Sequence, residues 1–395
     1  MGEVDDFFAH HWARSPLYRQ GAGSGSFLDL FSPKDVDHII STTLLRLHAF
    51  RIIKDGQTLD PRTYLKAGHV GSILMKDVAD VGRIYSHFHD GATIVLQALQ
   101  RYWPPLTNFC RELELALTHP AQANAYITPP GSKGLDVHYD THDVFVLQVS
   151  GRKQWEVYEP QIEAPLLSQR FEKAADLGPP LISSELKPGD CLYIPRGFLH
   201  SAKATEDGSS HLTVGILSYT WHDIVQDILG QTSDELAFRE TLPIGFARET
   251  DAFTREIAER VGTLKLWLDT VDAKKIGARM RRRFWSSRAP MFEGQLEQLA
   301  RLKYLDDKTV VRRRKGSICE LSVDEDGSAL KVLLGDRELT MPPALESVMR
   351  FIIERECFAV SDLTEDLDEE SRKVLVQRLI REGLLEAKRM GSATQ

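Results

Sequence analysis

Between Phe27 and about Tyr219 the chain alternates short apolar runs with turns built on proline and glycine, a texture that few folds accommodate. Examples are ANAYITPPGSKG from Ala123, VFVLQVSGRKQWEVYEP from Val144 and LKPGDCLYIPRGF from Leu186. Apolar runs of about four to seven residues, closed at both ends by turn residues, read as strands. Val144–Val149, a turn at Ser150-Gly151 and Gln154–Tyr158 read as a hairpin, with Trp155 and Val157 on one face of its second arm. Ahead of these strands, Pro33–Phe50 and Ala92–Thr118 carry helical spacing, the second broken at Pro104-Pro105. Ser32 is placed to cap the first helix, with Pro33 at its first position and Asp35 in its first turn.

Two further textures follow. From about Trp221 to Lys303 there is no strand signal, and Ile257, Val261, Leu264, Leu266, Trp267 and Val271 recur near helical spacing within Ala252–Trp285. From Tyr304 to Gln395, short strands at Val310-Val311, Ser317–Val323 and Leu330–Leu334 precede helices at Pro342–Arg355 and Glu369–Arg381. A turn into a strand at Gly383-Leu384-Leu385 then completes a winged-helix pattern. The expected division is 1–221, 222–303 and 304–395, in keeping with a length of 395 residues. Gly21–Ser26 reads as a short flexible link.

Composition narrows the function classes. With 42% hydrophobic and 27% charged residues the chain is an ordinary globular one. A net charge of −8 argues against non-specific nucleic-acid binding. Cys110, Cys191, Cys319 and Cys357 form no CxxC pair, so neither a zinc ribbon nor a disulfide framework is expected, and a reducing cytoplasm is the default. The first residues are acidic with no apolar run behind them, unlike a secretory signal. No apolar run approaches the length of a membrane span.

The chemistry concentrates in the first region. His138-Tyr139-Asp140 places an imidazole and a carboxylate two residues apart, on one face of an extended segment. Downstream, the Pro188-Gly189-Asp190 turn precedes a short strand, and a Pro195-Arg196-Gly197 turn aims His200. Two imidazoles and one carboxylate make a facial triad that leaves coordination positions open and favours non-haem Fe(II). The Gly-x5-Pro-x-Gly-x2-His spacing is similar to the second signature of cupin barrels. The first motif departs from the common cupin pattern, because Asp140 replaces a second histidine and no matching glutamate follows. Losing a fourth ligand favours an oxygenase.

ANAYITPPGSKG, HYDTHDVFVLQVSGRKQWEVY, PGDCLYIPRGFLHSA and SSHLTVGILSYTW together resemble the ribosomal-oxygenase family of JmjC-type, Fe(II)- and 2-oxoglutarate-dependent dioxygenases, and FFAHHWARSPL resembles that family's opening segment. The resemblance implies a double-stranded β-helix (jelly-roll) catalytic domain in a mixed α+β chain, then a helical dimerisation domain and a C-terminal winged helix. It implies metal ligands at His138, Asp140 and His200 and 2-oxoglutarate contacts from Lys153, Asn124 and Thr213. It further implies dioxygen as co-substrate and an arginine or histidine of a ribosomal protein as the hydroxylated residue. The residues agree. The distal carboxylate of 2-oxoglutarate needs a buried cation, and Lys153 follows the Ser150-Gly151 turn with Arg152 facing the other way. Asn124 and Thr213 lie in apolar segments where their polar groups need partners, either the co-substrate or barrel backbone. Tyr126 is in phase with Asn124 and shapes the substrate pocket in that family.

Other residues compete for attention. His142 continues the phase of His138 and Asp140 and sits at the pocket or on its rim. His211 reads as structural. Arg279–Arg283 and Arg312–Lys315 invite a nucleic-acid reading, but a solvated helix face and a charged strand edge account for them. The second helix of the winged-helix pattern opens on Asp366, Asp368, Glu369 and Glu370, which phosphates would repel, so a docking role without DNA is expected. The alternatives are a non-catalytic cupin regulator that binds DNA and a small-molecule oxygenase. Histone demethylation, the chemistry of the wider JmjC group, finds no chromatin-reading signal here.

Overall fold

The computed structural model describes residues 4–21, 27–173, 177–248, 251–324, 326–363 and 367–388. The link Gly21–Ser26, beyond its first residue, and Asp366 lie outside them. The chain divides into two compact units, Met1–Ser218 and Tyr219–Gln395.

The first unit holds strands β1 (Leu17–Arg19), β2 (Phe50–Lys54), β3 (Gln57–Thr58), β4 (Leu65–Val70), β5 (Ile73–Ala79), β6 (Thr93–Leu96), β7 (Ala121–Thr128), β8 (Asp143–Pro160), β9 (Ile182–Leu186), β10 (Cys191–Ile194) and β11 (Phe198–Ile216). Its helices are α1 (Val4–His10), α2 (Pro33–Thr42), α3 (Val81–His89) and α4 (Pro104–Leu117). Nine strands join in the order β1-β10-β8-β11-β7-β6-β2-β3, with β9 also on β8.

The hairpin expected over 144–158 does not form. β8 is one strand of 18 residues, and both of its halves pair with the 19-residue β11. Its first half carries β10 on the other edge and its second half carries β9. Ser150-Gly151 is an irregularity and not a turn, because β11 gives each half a continuous partner. Ser210 faces Ser150 while His211 faces Gln148, so Val149 is skipped in the ladder. A skipped residue inverts the alternation of side chains. Ahead of it, Phe145, Leu147 and Val149 face the large core while Val144 and Val146 face a second cluster. Beyond it, Trp155 and Val157 face that second cluster. Both faces of β8 are thus buried, which explains its unbroken apolar run.

Two helical expectations are also corrected. α2 has its Ser32 cap, and Asp35 reciprocates, but the helix stops at Thr42 and Phe50 opens β2. Thr93–Leu96 is a fully buried strand between β2 and β7, as its β-branched run favours. The proline pair starts α4 instead of breaking a longer helix, since a residue before proline is pushed to extended geometry and proline suits the first helical position.

The second unit opens with α5 (Trp221–Gly230), α6 (Leu236–Arg239), α7 (Asp251–Leu268), α8 (Ala273–Ser286) and α9 (Gln295–Arg301). The helical stretch expected over 252–285 is divided by Asp272, whose carboxylate caps α8. Strands β12 (Val310–Arg313), β13 (Glu320–Val323), β14 (Leu330–Leu333) and β15 (Glu338–Met341) follow. Then come α10 (Glu346–Glu354), β16 (Cys357–Ala359), α11 (Glu369–Arg381) and β17 (Leu385–Ala387). β12 lies between β16 and β17, and β13-β14-β15 forms a separate sheet. β15 and β16 escaped the sequence reading. A core including Val311, Met349, Ile352, Val376 and Leu379 fills this part.

Gly151 has φ +61°, and a Cβ there would lie 2.2 Å from the Gly208 carbonyl oxygen. Gly71 has φ +58° with nothing near it. Gly151→Ala should cost about 2–4 kcal/mol, strain plus clash, and Gly71→Ala only the strain, about 1 kcal/mol. Thermal unfolding of the two variants checks this; equal losses would mean that β8 and β11 do not approach so closely.

Candidate active site

β11 and the segment before β8 bring the two histidines together. His138 and His200 form an isolated antiparallel bridge, with His200 N donating to His138 O at 2.8 Å and His138 N to His200 O at 3.2 Å. Cross-strand partners of this kind carry their side chains to the same side, and the two rings lie 4.5 Å apart. Each imidazole also holds its Nδ1 against a carbonyl two residues earlier. His138 Nδ1 lies 2.7 Å from Asp136 O, and His200 Nδ1 lies 3.0 Å from Phe198 O. A carbonyl can only accept, so each Nδ1 carries the proton and each Nε2 keeps its lone pair. Asp140 Oδ2 is 3.7 Å from His200 Nε2, and ligand atoms of His138, Asp140 and His200 all lie within 4.8 Å of one another.

Electrostatics keep this set in its ligating form. Burial pushes His200 down to about 4, with His138 adding to the effect and Asp140 opposing it. Its imidazole is therefore neutral near pH 7. Burial works against the Asp140 charge, but His200, His142, His138 and Arg51 outweigh it and the carboxyl lies below its usual value. A neutral imidazole beside a carboxylate is the donor chemistry that suits a divalent ion.

A pocket opens beside the triad, lined also by Tyr126, Leu135, Val144, Lys153, Trp155, Ala202, His211 and Thr213. Lys153 faces inward because the skipped residue at Val149 inverts the alternation of β8. Arg152, on the opposite face, reaches Glu185 at 3.4 Å and Asp207 at 3.7 Å. Lys153 is 4% exposed, its ammonium donates to Thr128 Oγ1 at 3.3 Å, and no carboxylate among the described residues pairs with it. Burial brings its value down from 10.5 to about 7. A buried ammonium without a counter-ion is what an anionic ligand would complete.

The other expected residues divide. Tyr126 and Thr213 line the pocket; Asn124 and His142 are not among its lining residues. Asn124 is the register partner of Thr213, but its Oδ1 accepts from Ala98 N–H at 3.0 Å, a barrel-backbone role. His142 packs on Gly215, where a Cβ would come within 2.5 Å of its ring.

Sequence reasoning set His211 aside as structural and passed over Trp155, Thr128 and Arg51. His211 stacks on Tyr126 at 5.1 Å, meets Trp155 edge-on at 5.4 Å, and keeps a buried Nδ1 with no hydrogen-bond partner. Burial, and Lys153 after it, push His211 well below its usual value. The available signal was its phase with Thr213 on one strand face.

Residues 96–224 match the JmjC domain model. This stretch is similar to a JmjC domain. Over 258 residues the chain is 32% identical to chicken ribosomal oxygenase 1, covering 61% of this chain and 40% of that protein. Over 280 residues it is 26% identical to the bifunctional lysine-specific demethylase and histidyl-hydroxylase NO66 of Dictyostelium discoideum, covering 66% and 53%. The chain thus spans about half or less of the length of these relatives. The crystal structure of Escherichia coli ribosomal oxygenase YcfD aligns with TM-score 0.54 at 18% identity over 98% of this chain and 99% of that one. A structure of YcfD in complex with cobalt and 2-oxoglutarate aligns with TM-score 0.55 at 17% identity over 98% of each. At such identities the likeness is one of fold, and it agrees with the JmjC cupin architecture.

Below about pH 7 the buried Lys153 is charged and its penalty is complete. As pH rises from about 7 towards 10.5, the folded chain releases the proton while the unfolded chain holds it, and stability recovers. Lys153→Met should therefore stabilise the empty protein most at pH 6, by on the order of 2–4 kcal/mol, with the gain shrinking above pH 7. Unfolding curves of both proteins across pH check this; a gain independent of pH would exclude a buried ammonium.

Proposed function

We propose that this chain is an Fe(II)- and 2-oxoglutarate-dependent dioxygenase that hydroxylates an arginine or histidine side chain of a ribosomal protein. The observation that carries this reading is the convergence of His138, Asp140 and His200 beside the buried, uncompensated Lys153. His138, Asp140 and His200 would hold the metal. Iron with 2-oxoglutarate and dioxygen supplies oxidative decarboxylation, giving succinate and CO2 and placing one oxygen atom on a substrate C–H bond. The protein's part is geometry. Asp136 and Phe198 carbonyls orient the two imidazoles, Lys153 receives the distal carboxylate of the co-substrate with Thr213 beside it, and Trp155, Val144 and Ala202 keep the pocket apolar and dry. The relatives named ribosomal oxygenases, and YcfD solved with cobalt and 2-oxoglutarate, support the choice of cofactor and substrate class.

The rest of the chain we read as support for this chemistry: an oxygenase domain over 1–221, a helical dimerisation domain over 222–303 and a winged helix over 304–395. Trp221 is 82% exposed, Leu266 73% and Leu236 66%, apolar surface that suits a homodimer. α10, α11 and the β16-β12-β17 sheet suit a winged helix. The basic residues of these two regions favour protein over DNA, because Arg279 of the helical region pairs with Asp227 at 2.7 Å and Arg312 of the winged helix with Glu386 at 2.6 Å, while Asp368, Glu369 and Glu370 stand at the start of α11. No helix among the described residues is long and apolar enough to cross a membrane. Four free cysteines suit the cytoplasm.

Two measurements test the proposal. Intact-mass spectrometry of ribosomal proteins from cells with and without this gene should show a one-oxygen shift on one protein, restored by the wild-type gene and not by His138→Ala. No shift on any ribosomal protein would sink the ribosomal reading. In sedimentation equilibrium the chain should run at twice its 44.6 kDa, and Leu266→Asp should shift it to monomer; a wild-type monomer would exclude the dimer.

A further inference from the structure

Arg51 lies on β2, outside every motif of the sequence. Arg51 partners Val95 on β6, Val95 partners Tyr126 on β7, and Tyr126 partners His211 on β11. Register partners across a sheet point to one side, and on this side Tyr126 and His211 line the pocket. Arg51 is near enough to the Tyr126 hydroxyl to work against the upward push of burial on it. Its Nε is buried with no hydrogen-bond partner, and no carboxylate among the described residues forms an ion pair with it. It is near enough to Asp140 to favour the charged carboxylate. A second cation without an ion-pair partner among the described residues therefore stands on the sheet face of Tyr126 and His211, next to the pocket and in addition to Lys153. If a divalent metal takes up Asp140 and a dicarboxylate takes up Lys153, the charge of Arg51 stays uncompensated.

We propose that Arg51 is a specificity-determining residue that fits this pocket to a neutral side chain bearing a hydrogen-bond acceptor, the imidazole of histidine, over the guanidinium of arginine. The inference rests on the proposed 2-oxoglutarate oxygenase and chooses between its two substrate classes. A guanidinium entering beside Arg51 brings like charge into a site of low dielectric, where repulsion is poorly screened. A neutral imidazole offers a lone pair to the unpaired Nε–H or to the Tyr126 hydroxyl, and leaving a buried donor unmet is what the wrong substrate would do.

The test reads binding without turnover. The full chain is loaded with manganese(II) and 2-oxoglutarate under argon at about pH 8, where a free imidazole is neutral. N-acetyl-histidinamide and N-acetyl-argininamide are added in turn, and paramagnetic broadening of each probe's proton resonances reports its approach to the metal. The histidine probe should reach half-maximal broadening at about tenfold lower concentration. Arg51→Gln should bring the two probes within about twofold, and Arg51→Lys, which keeps the charge, should retain most of the preference. Equal binding by the wild type, a preference for the arginine probe, or an unchanged preference in Arg51→Gln would overturn the assignment. Water relaxation before any probe is added shows whether manganese binds at all. If it does not, the metal-site reading fails and the inference falls with it, an outcome distinct from a wrong role for Arg51.

Discussion

Two long strands, β8 and β11, hydrogen-bond to each other along almost their whole lengths, and the site exists because they do. β11 carries His200, His211 and Thr213, while β8 carries Val144, Lys153 and Trp155. His138 and Asp140 lie outside any strand, yet His138 is tied to β11 by a reciprocal pair of backbone bonds, and Gly197 N–H donates to Asp140 O at 3.0 Å. The three residues of the triad are thus referred to one strand and its leading turn. Side chains borrow their precision from this ladder, since backbone pairing fixes Cα positions and the Nδ1 bonds fix ring rotation.

What this arrangement costs is visible around the pocket. His211 Nδ1, Ser210 Oγ, Gln148 Oε1 and Trp155 Nε1 are buried with no hydrogen-bond partner, and Lys153 is a buried ammonium. Each such group works against folding. The two cores on either side of β8 offset that cost with apolar burial, one of them built on Phe50, Ile94, Leu147 and Tyr193, the other on Val146, Trp155 and Leu192. Concentrated polar frustration between well-packed layers marks a surface shaped for a ligand more than for stability.

Much of this was legible in the residues. The cluster of His138, Asp140 and His200 could be read because its residues are two apart or preceded by a proline-glycine turn, both local signals. The strand-rich texture followed from apolar runs between turn residues. What was not legible depended on distant partners. Ser150-Gly151 looks like a hairpin turn locally, and only the length of β11 makes it a ladder irregularity. Thr93–Leu96 has helical spacing within 92–118 but becomes a strand because β2 and β7 flank it. Arg51 is an ordinary strand residue until Val95 and Tyr126 stand beside it in register. Asn124 is in phase with Tyr126 and yet serves the Ala98 turn.

The skipped residue at Val149 has a consequence for how such a site can change. Which of two adjacent basic residues enters the pocket is decided by the parity of the strand and not by their identities. Bringing Val149 into the ladder opposite Ser210, with the β11 partners of the first half left in place, would turn Arg152 inward and Lys153 out to the side of Glu185 and Asp207. That one-residue slip of register would exchange Lys153 for Arg152 at the pocket, a planar fork able to grip a carboxylate through two bonds, with no substitution at either position. In a strand that changes neighbours half-way, the register it keeps decides the chemistry of the pocket as directly as the identity of its residues.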